Sequence, residues 1–282
     1  MMKPLVFQTD FGLADGAVSA MYGVALKLNP DQKIYDLTHE IEPYNIWEAG
    51  YRLLQTVDYW PEGTVFVSVV DPGVGGDRRS VCVKLEGGQF IVTPDNGTLT
   101  FLKHKGKIVE VHEFDESTNR LSGSEESYTF YGRDVYAYVG AKLACGEETF
   151  EEIGEAVPVE TVVELNLIDP KECEDGSVTG TIEVLDIRYG SLWTNVPKKM
   201  FAKLGIELGS RVEVTLTDGE RIVYSNTMQY MRSFAGVFVG EPLVYVNSLD
   251  CMAVAINQGS FAKAYNIGTG SNWHIKFKKA NS

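Results

Sequence analysis

A chain of 282 residues has room for one large or two ordinary domains. Its 44% hydrophobic and 23% charged residues are the balance of a globular protein with a full core, and no apolar run nears the roughly 18 residues of a membrane span. The net charge of −14, with no cluster of Lys and Arg, leaves nucleic acid a poor partner, and Cys82, Cys145, Cys173 and Cys251 stand too far apart for a zinc knuckle.

The start, MMKPLVFQTDFG, enters a strand-like segment directly, without the long apolar stretch and cleavage site of a signal peptide, so a cytoplasmic location is expected. Along the chain, PLVFQTD reads as a buried strand and AVSAMYGVALKLNP as a helix closed by Asn29-Pro30. KIYDLTHE reads as a strand, NIWEAGYRLLQTVDYW as a helix, and TVFVSVVDPG, SVCVKL and QFIVTPDNG as strands. DVYAYVGAKLACG reads as a helix ended by Gly146. Such alternation predicts an α/β domain around a central mixed sheet with both faces covered. Beyond about residue 160, GSVTGTIEVLDIRYG, SRVEVTLTDGERIVYS, PLVYVNS and AKAYNIGTGS are short, β-rich and turn-separated, which predicts an all-β small barrel. The expected division is an α/β domain over 1–155, a linker over 156–168 within a connecting stretch that begins at ETFEEIGEAVPVETV, and a β-barrel over 169–282.

Ligands of open α/β sheets bind at the carboxyl ends of strands. Here those ends carry carboxylates: Asp10, with Asp15 close behind; Asp71 in Asp71-Pro72-Gly73; Asp95 in Thr93-Pro94-Asp95-Asn96-Gly97. Phe130-Tyr131-Gly132-Arg133-Asp134 opens the last helix. Asp-Pro-Gly and Asp-Asn-Gly are also ordinary turn formers, and Asp134 also suits a helix N-terminus. Their coincidence on one sheet edge favours a site. The glycines of DPGVGGDRR run into another strand, not a helix, and lack a GK[ST] ending, which argues against a nucleotide triphosphate or dinucleotide. Clustered carboxylates suit a ligand with hydroxyls and positive charge. Tyr44, Tyr131, Tyr189, Trp193 and Phe234 are available for stacking, and each equally suits a core. His39, His104, His112 and His274 have no metal-ligand spacing.

TDFG, LNP, DLTHEIEPYN, WPEGTV, VVDPGVGGDRR, PDNGTLT, TFYGRD, DIRYGSLWTN and VNS…AINQG follow one another in a familiar order. Over nearly its whole length the chain resembles the S-adenosylmethionine hydroxide adenosyltransferases, whose superfamily includes fluorinases and chlorinases. The resemblance implies an α/β domain plus a β-barrel, assembled as a homotrimer with the substrate between one subunit's N-terminal and its neighbour's C-terminal domain. It implies hydrolysis of S-adenosylmethionine at C5′ to adenosine and L-methionine, with no metal and no cofactor. Asp10 would take the ribose hydroxyls and Tyr44 pack on the sugar. Asp15, Asp186 and Ser248 would hold the methionine ammonium and carboxylate. Phe234 would stack on adenine, with Ser191 and the backbone near Asn257 and Gln258 at its edge.

Hydrolytic members surround the attacking water with Asp, Arg and His; Asp71 and Arg78 match the first two. Tyr131, between Phe130 and Gly132, stands in the His position, as it does in the halogenases, which lack the Asp and Arg. Tyr189-Gly190-Ser191 replaces the usual FGN. Two alternatives remain at this point: a halide transferase, against which Asp71 argues because like charges repel strongly at low dielectric, and a non-catalytic adenosine- or S-adenosylmethionine-binding protein, which Tyr131 favours.

Overall fold

The computed structural model describes residues 3–280, so the outermost residues of the two expected domains, 1–2 and 281–282, lie outside the described residues. The chain divides after Leu165 into two units. The first holds β1 (Leu5–Thr9), β2 (Ile34–Thr38), β3 (Val65–Val69), β4 (Ser80–Leu85), β5 (Phe90–Pro94), β6 (Ile108–Phe114) and β7 (Glu155–Val157), in the sheet order β2-β1-β3-β5-β4-β6-β7. β2, β1, β3 and β5 pair in parallel; β4, β6 and β7 pair antiparallel. The sheet is mixed, as expected.

Every residue of β1, β3 and β5 is buried. Successive strand side chains point to opposite faces, so an unbroken apolar strand needs cover on both. Leu5, Phe7, Val65 and Val67 pack with Met21 of α1 (Ala17–Leu28) and Leu143 of α4 (Tyr138–Cys145). Val6, Phe66 and Ile91 pack with Leu53 of α2 (Ile46–Thr56) and Leu102 of α3 (Thr100–His104). Local chemistry sets the helix ends. The Asn45 side chain accepts from Glu48 N at 2.9 Å to open α2, and Gly146 closes α4 with φ +80°.

Two segments of this unit differ from expectation. The helix predicted from Asp134 begins as a π-helical turn, Gly132–Ala137, that runs into α4. Asp134 is fully buried there and takes Arg133 Nε and Nη2 at 2.6 and 2.9 Å, so its charge meets a half-exposed guanidinium and not the helix end. The stretch from residue 148, expected to connect the domains, is packed against the sheet. Phe150 and Ile153 are buried, and Glu155–Val157 adds the edge strand β7 to β6. Gly154 permits the turn into that strand, since a Cβ would lie 2.0 Å from Glu113 O.

The second unit contains β8 (Lys171–Glu172), β9 (Ser177–Leu185), β10 (Leu192–Pro197), α5 (Lys198–Ala202), β11 (Arg211–Asp218), β12 (Arg221–Tyr230), β13 (Pro242–Val246), β14 (Cys251–Ile256), α6 (Phe261–Tyr265) and β15 (Trp273–Lys279). Seven strands close a ring, β9-β10-β14-β13-β12-β11-β15 and back to β9, with β8 beside β9. Burial alternates along β10 and β11, so Leu192, Val196, Val212, Val214 and Leu216 fill the barrel with Phe277 and Ile182. AKAYNIGTGS, expected to be β-rich, begins with helix α6. Ser260 caps it by accepting from Lys263 N, and Asn266 ends it at φ +52°. No helix among the described residues is long and apolar enough to cross a membrane.

Candidate active site

In the first unit, Asp10 follows β1, Asp71 lies two residues past β3, and Tyr131 and Gly132 stand where the π-helical turn begins. With Phe11, Asp15, Pro43, Tyr44, Val74 and Phe130 they line one cavity of about 470 Å³. Thus Asp10, Asp15, Tyr44, Asp71, Phe130, Tyr131 and Gly132, all singled out in the sequence, share a space. Gly132 is needed for close approach: a Cβ would sit 2.8 Å from the Phe11 ring.

Asp10 is oriented by its neighbours. Its Oδ2 accepts Tyr44 N at 2.8 Å, and Tyr44 holds φ +70°, a left-handed conformation unusual for an aromatic residue. Beneath it, Thr9 Oγ1 and His39 Nδ1 lie 2.8 Å apart, and His39 Nε2 is 3.0 Å from Asp36 Oδ1. That same oxygen accepts Tyr22 OH at 2.6 Å, and His39 O accepts Gly12 N at 2.8 Å. Buried His39 therefore ties together the loop that carries Asp10.

Asp71 is held from one side only. Arg78 donates Nε and Nη2 to Asp71 Oδ2, at 2.9 and 2.7 Å, and Nη1 to Glu116. Asp71 Oδ1 is buried and has no donor among the described residues. Burial opposes the Arg78 charge. The hydrogen bond to Asp71 and the negative potential of the Asp71 and Glu116 carboxylates outweigh it, so the guanidinium pKa rises above its usual range. Its Cζ lies 5.4 Å from the Tyr131 ring and 5.8 Å from the Tyr136 ring. Arg120 stacks on Tyr131 as well, also at 5.4 Å. Burial, more than any neighbouring charge, pushes the Tyr136 phenol well up, so it is a neutral donor, and it shares a hydrogen bond with Ser80 Oγ at 2.7 Å.

The Asp95 cluster does not join the cavity. Its carboxylate takes Arg79 Nε at 3.1 Å and Val163 N at 2.9 Å, while Asn96 Nδ2 donates to Val70 O beside Asp71. That cluster is architecture.

In the second unit Tyr189, Phe234, Asn257 and Gln258 line a separate cavity of about 740 Å³, with Arg188, Ile256, Gly259 and Ser260. Asp186 Oδ1 accepts Arg188 N and Tyr189 N, each at 3.0 Å, and so shapes the turn that carries Tyr189. Asp186, buried Ser191 and exposed Ser248 are not among its lining residues. Glu116, Phe11 and Pro43 were not foreseen. Phe11 and Pro43 sit inside quoted motifs and were legible there, whereas Glu116 lies in a loop with no local signal. Among the described residues, no three or more His, Cys, Asp or Glu side chains gather in a way that could hold a metal ion.

Family models for the SAM hydroxide adenosyltransferase N-terminal and C-terminal domains match residues 5–154 and 180–274. The chain belongs to this family. The (R)-S-adenosyl-L-methionine hydrolase of Salinispora tropica is 34% identical over 95% of this chain and 96% of its own. The fluorinase of Actinopolyspora mzabensis is 27% identical over 97% of each. The crystal structure of an uncharacterized conserved protein from Thermotoga maritima superimposes with a TM-score of 0.85 at 29% identity, covering 98% of this chain and all of that one. The protein is thus an enzyme of the SAM hydroxide adenosyltransferase family, with both hydrolases and fluorinases among its relatives.

Proposed function

We propose that the protein hydrolyses S-adenosylmethionine at C5′, releasing adenosine and L-methionine. The observation that carries this reading is Asp71 Oδ1, a buried carboxylate oxygen without a donor, on a residue lining the same cavity as Asp10. A buried acceptor of this kind costs about 1–3 kcal/mol unless a donor reaches it, and a water does so at no cost in charge. That water is the nucleophile. Its oxygen bonds to C5′ as the C5′–S bond breaks, the electron pair stays on sulfur, and the sulfonium becomes the neutral thioether of methionine. One water proton passes to Asp71 and then to solvent. The leaving group needs no acid, metal or cofactor, so placing the water in line and excluding bulk solvent are the enzyme's tasks.

Asp10, already fixed by Tyr44 N, takes the ribose hydroxyls, and Tyr44 covers the sugar. Asp15, Asp186 and Ser248 hold the methionine ammonium and carboxylate. Phe234 stacks on adenine, and Tyr189, Ser191, Asn257 and Gln258 surround its edge. Tyr131, buried between two arginines, is a donor to the water or a wall of its pocket. In this reading the enzyme is a homotrimer, and each first-unit cavity is completed by the second-unit cavity of a neighbouring copy.

Similarity to a fluorinase across nearly the whole chain supports a second reading, halide transfer. Asp71 opposes it, because a halide beside a buried carboxylate is strongly repelled. Incubation with S-adenosylmethionine in H₂¹⁸O separates the outcomes. Hydrolysis puts one ¹⁸O in the 5′-hydroxyl of adenosine. Chloride-dependent 5′-chloro-5′-deoxyadenosine overturns it in favour of halide transfer, and an unchanged substrate overturns it in favour of a binding protein.

A further inference from the structure

Arg78 is clamped between two carboxylates, and only Asp71 lines the cavity assigned to the substrate. The other, Glu116, follows β6 where Phe114 pairs with Ser80 of β4. It accepts the Ser80 hydroxyl at 2.5 Å, and that hydroxyl also meets Tyr136 OH. Glu116 and Arg78 line a second cavity of about 410 Å³ in the same unit, and Tyr131 belongs to both cavities. Glu116 does not line the substrate cavity, and Arg78 is its direct link to Asp71.

We propose that Glu116 is a positioning residue for hydrolysis: it fixes the guanidinium from the side away from the substrate and balances its charge, keeping Asp71 an effective proton acceptor. The inference rests on the hydrolytic reading of the site. Two carboxylates and one guanidinium leave the trio with a net charge of −1. Without Glu116 the remaining pair is neutral, and Asp71 alone balances the guanidinium. Asp10 and Asp15 line the cavity of Asp71 with it, and Arg79, Arg120, Asp77, Glu113, Asp115 and Glu125 line the second cavity with Glu116. These stay in place in the variants below. Tyr136 adds no charge at neutral pH because burial keeps its phenol protonated.

The test compares wild type, Glu116→Gln and Glu116→Asp by adenosine release across pH, with kcat and KM separated. Glutamine keeps the shape and an acceptor for Arg78 but removes the charge. It is expected to lower kcat about tenfold and to move the acidic limb of the kcat profile down by about one pH unit, the size of a lost charge at a partly buried site. KM for S-adenosylmethionine stays within about twofold. Aspartate keeps the charge, so the limb stays at its wild-type position. A wild-type limb in Glu116→Gln, or equal limb shifts in both variants, overturns the proposal. If Glu116→Gln does not fold, a shifted limb in Glu116→Asp overturns it and an unshifted one supports it. No adenosine from wild type refutes the hydrolytic reading instead, so the two failures are distinguishable.

Discussion

Asp71 and Asp95 show how little a residue's own neighbourhood says about its role. Both follow strands and both sit among turn formers, yet Asp95 is closed off by Arg79 and Val163 while Asp71 keeps Oδ1 open. Asp71→Asn retains the shape, and Arg78 keeps Glu116 as partner, so the fold is expected to survive. Removing the proton acceptor should lower kcat by about 10²–10⁴-fold, measured as adenosine release. Asp10→Asn acts on binding. Losing charged hydrogen bonds worth about 1.5–3 kcal/mol should weaken adenosine binding roughly 10–100-fold in a calorimetric titration, with Tm nearly unchanged.

At the level of elements, the site depends on how closely α4 lies on the sheet, because the π-helical turn bearing Gly132 runs directly into it. Gly140 allows that approach: a Cβ there would lie 2.2 Å from Val67 Cγ2. Gly140→Val should therefore destabilise the first unit by about 1–3 kcal/mol, seen as a lower denaturation midpoint, and reduce activity. Gly23 is the control. It lies mid-α1 in open space, so Gly23→Ala should raise stability by roughly 0.5–1 kcal/mol through helix propensity alone.

For the whole molecule, buried tyrosines set an alkaline limit. Burial pushes Tyr224 up from 10.0 to about 12, and raises Tyr136 and Tyr245 as well. Once unfolded, these phenols ionise near 10.0. The unfolded chain therefore sheds protons first, and their contribution is intact below about pH 10 and lost as pH rises through the folded-state values. Melting temperature should fall between about pH 10 and 12, and less steeply in Tyr224→Phe. A fall equal in both proteins would remove Tyr224 from this account. Light scattering on the purified protein should give three times the 31.2 kDa chain mass if the proposed trimer forms.

Much of the architecture was legible because it is local. Buried strands, the Asn45 and Gly146 helix ends, and the alternation along β10 and β11 follow from neighbours a few residues apart, and so do the strand-end carboxylates. Local cues also misled: ETFEEIGEAVPVETV carries connector-like charge, but Phe150 and Ile153 anchor it to the sheet, and Ser260 turns an apparently β-rich stretch into α6. What only tertiary structure decided is which charges meet. Arg78 and Glu116 are separated by 38 residues of chain, and nothing near either one in the sequence marks their contact. Periodicity encodes which side of an element is apolar; the partners of a buried charge are chosen by packing between distant segments, which no short-range pattern records.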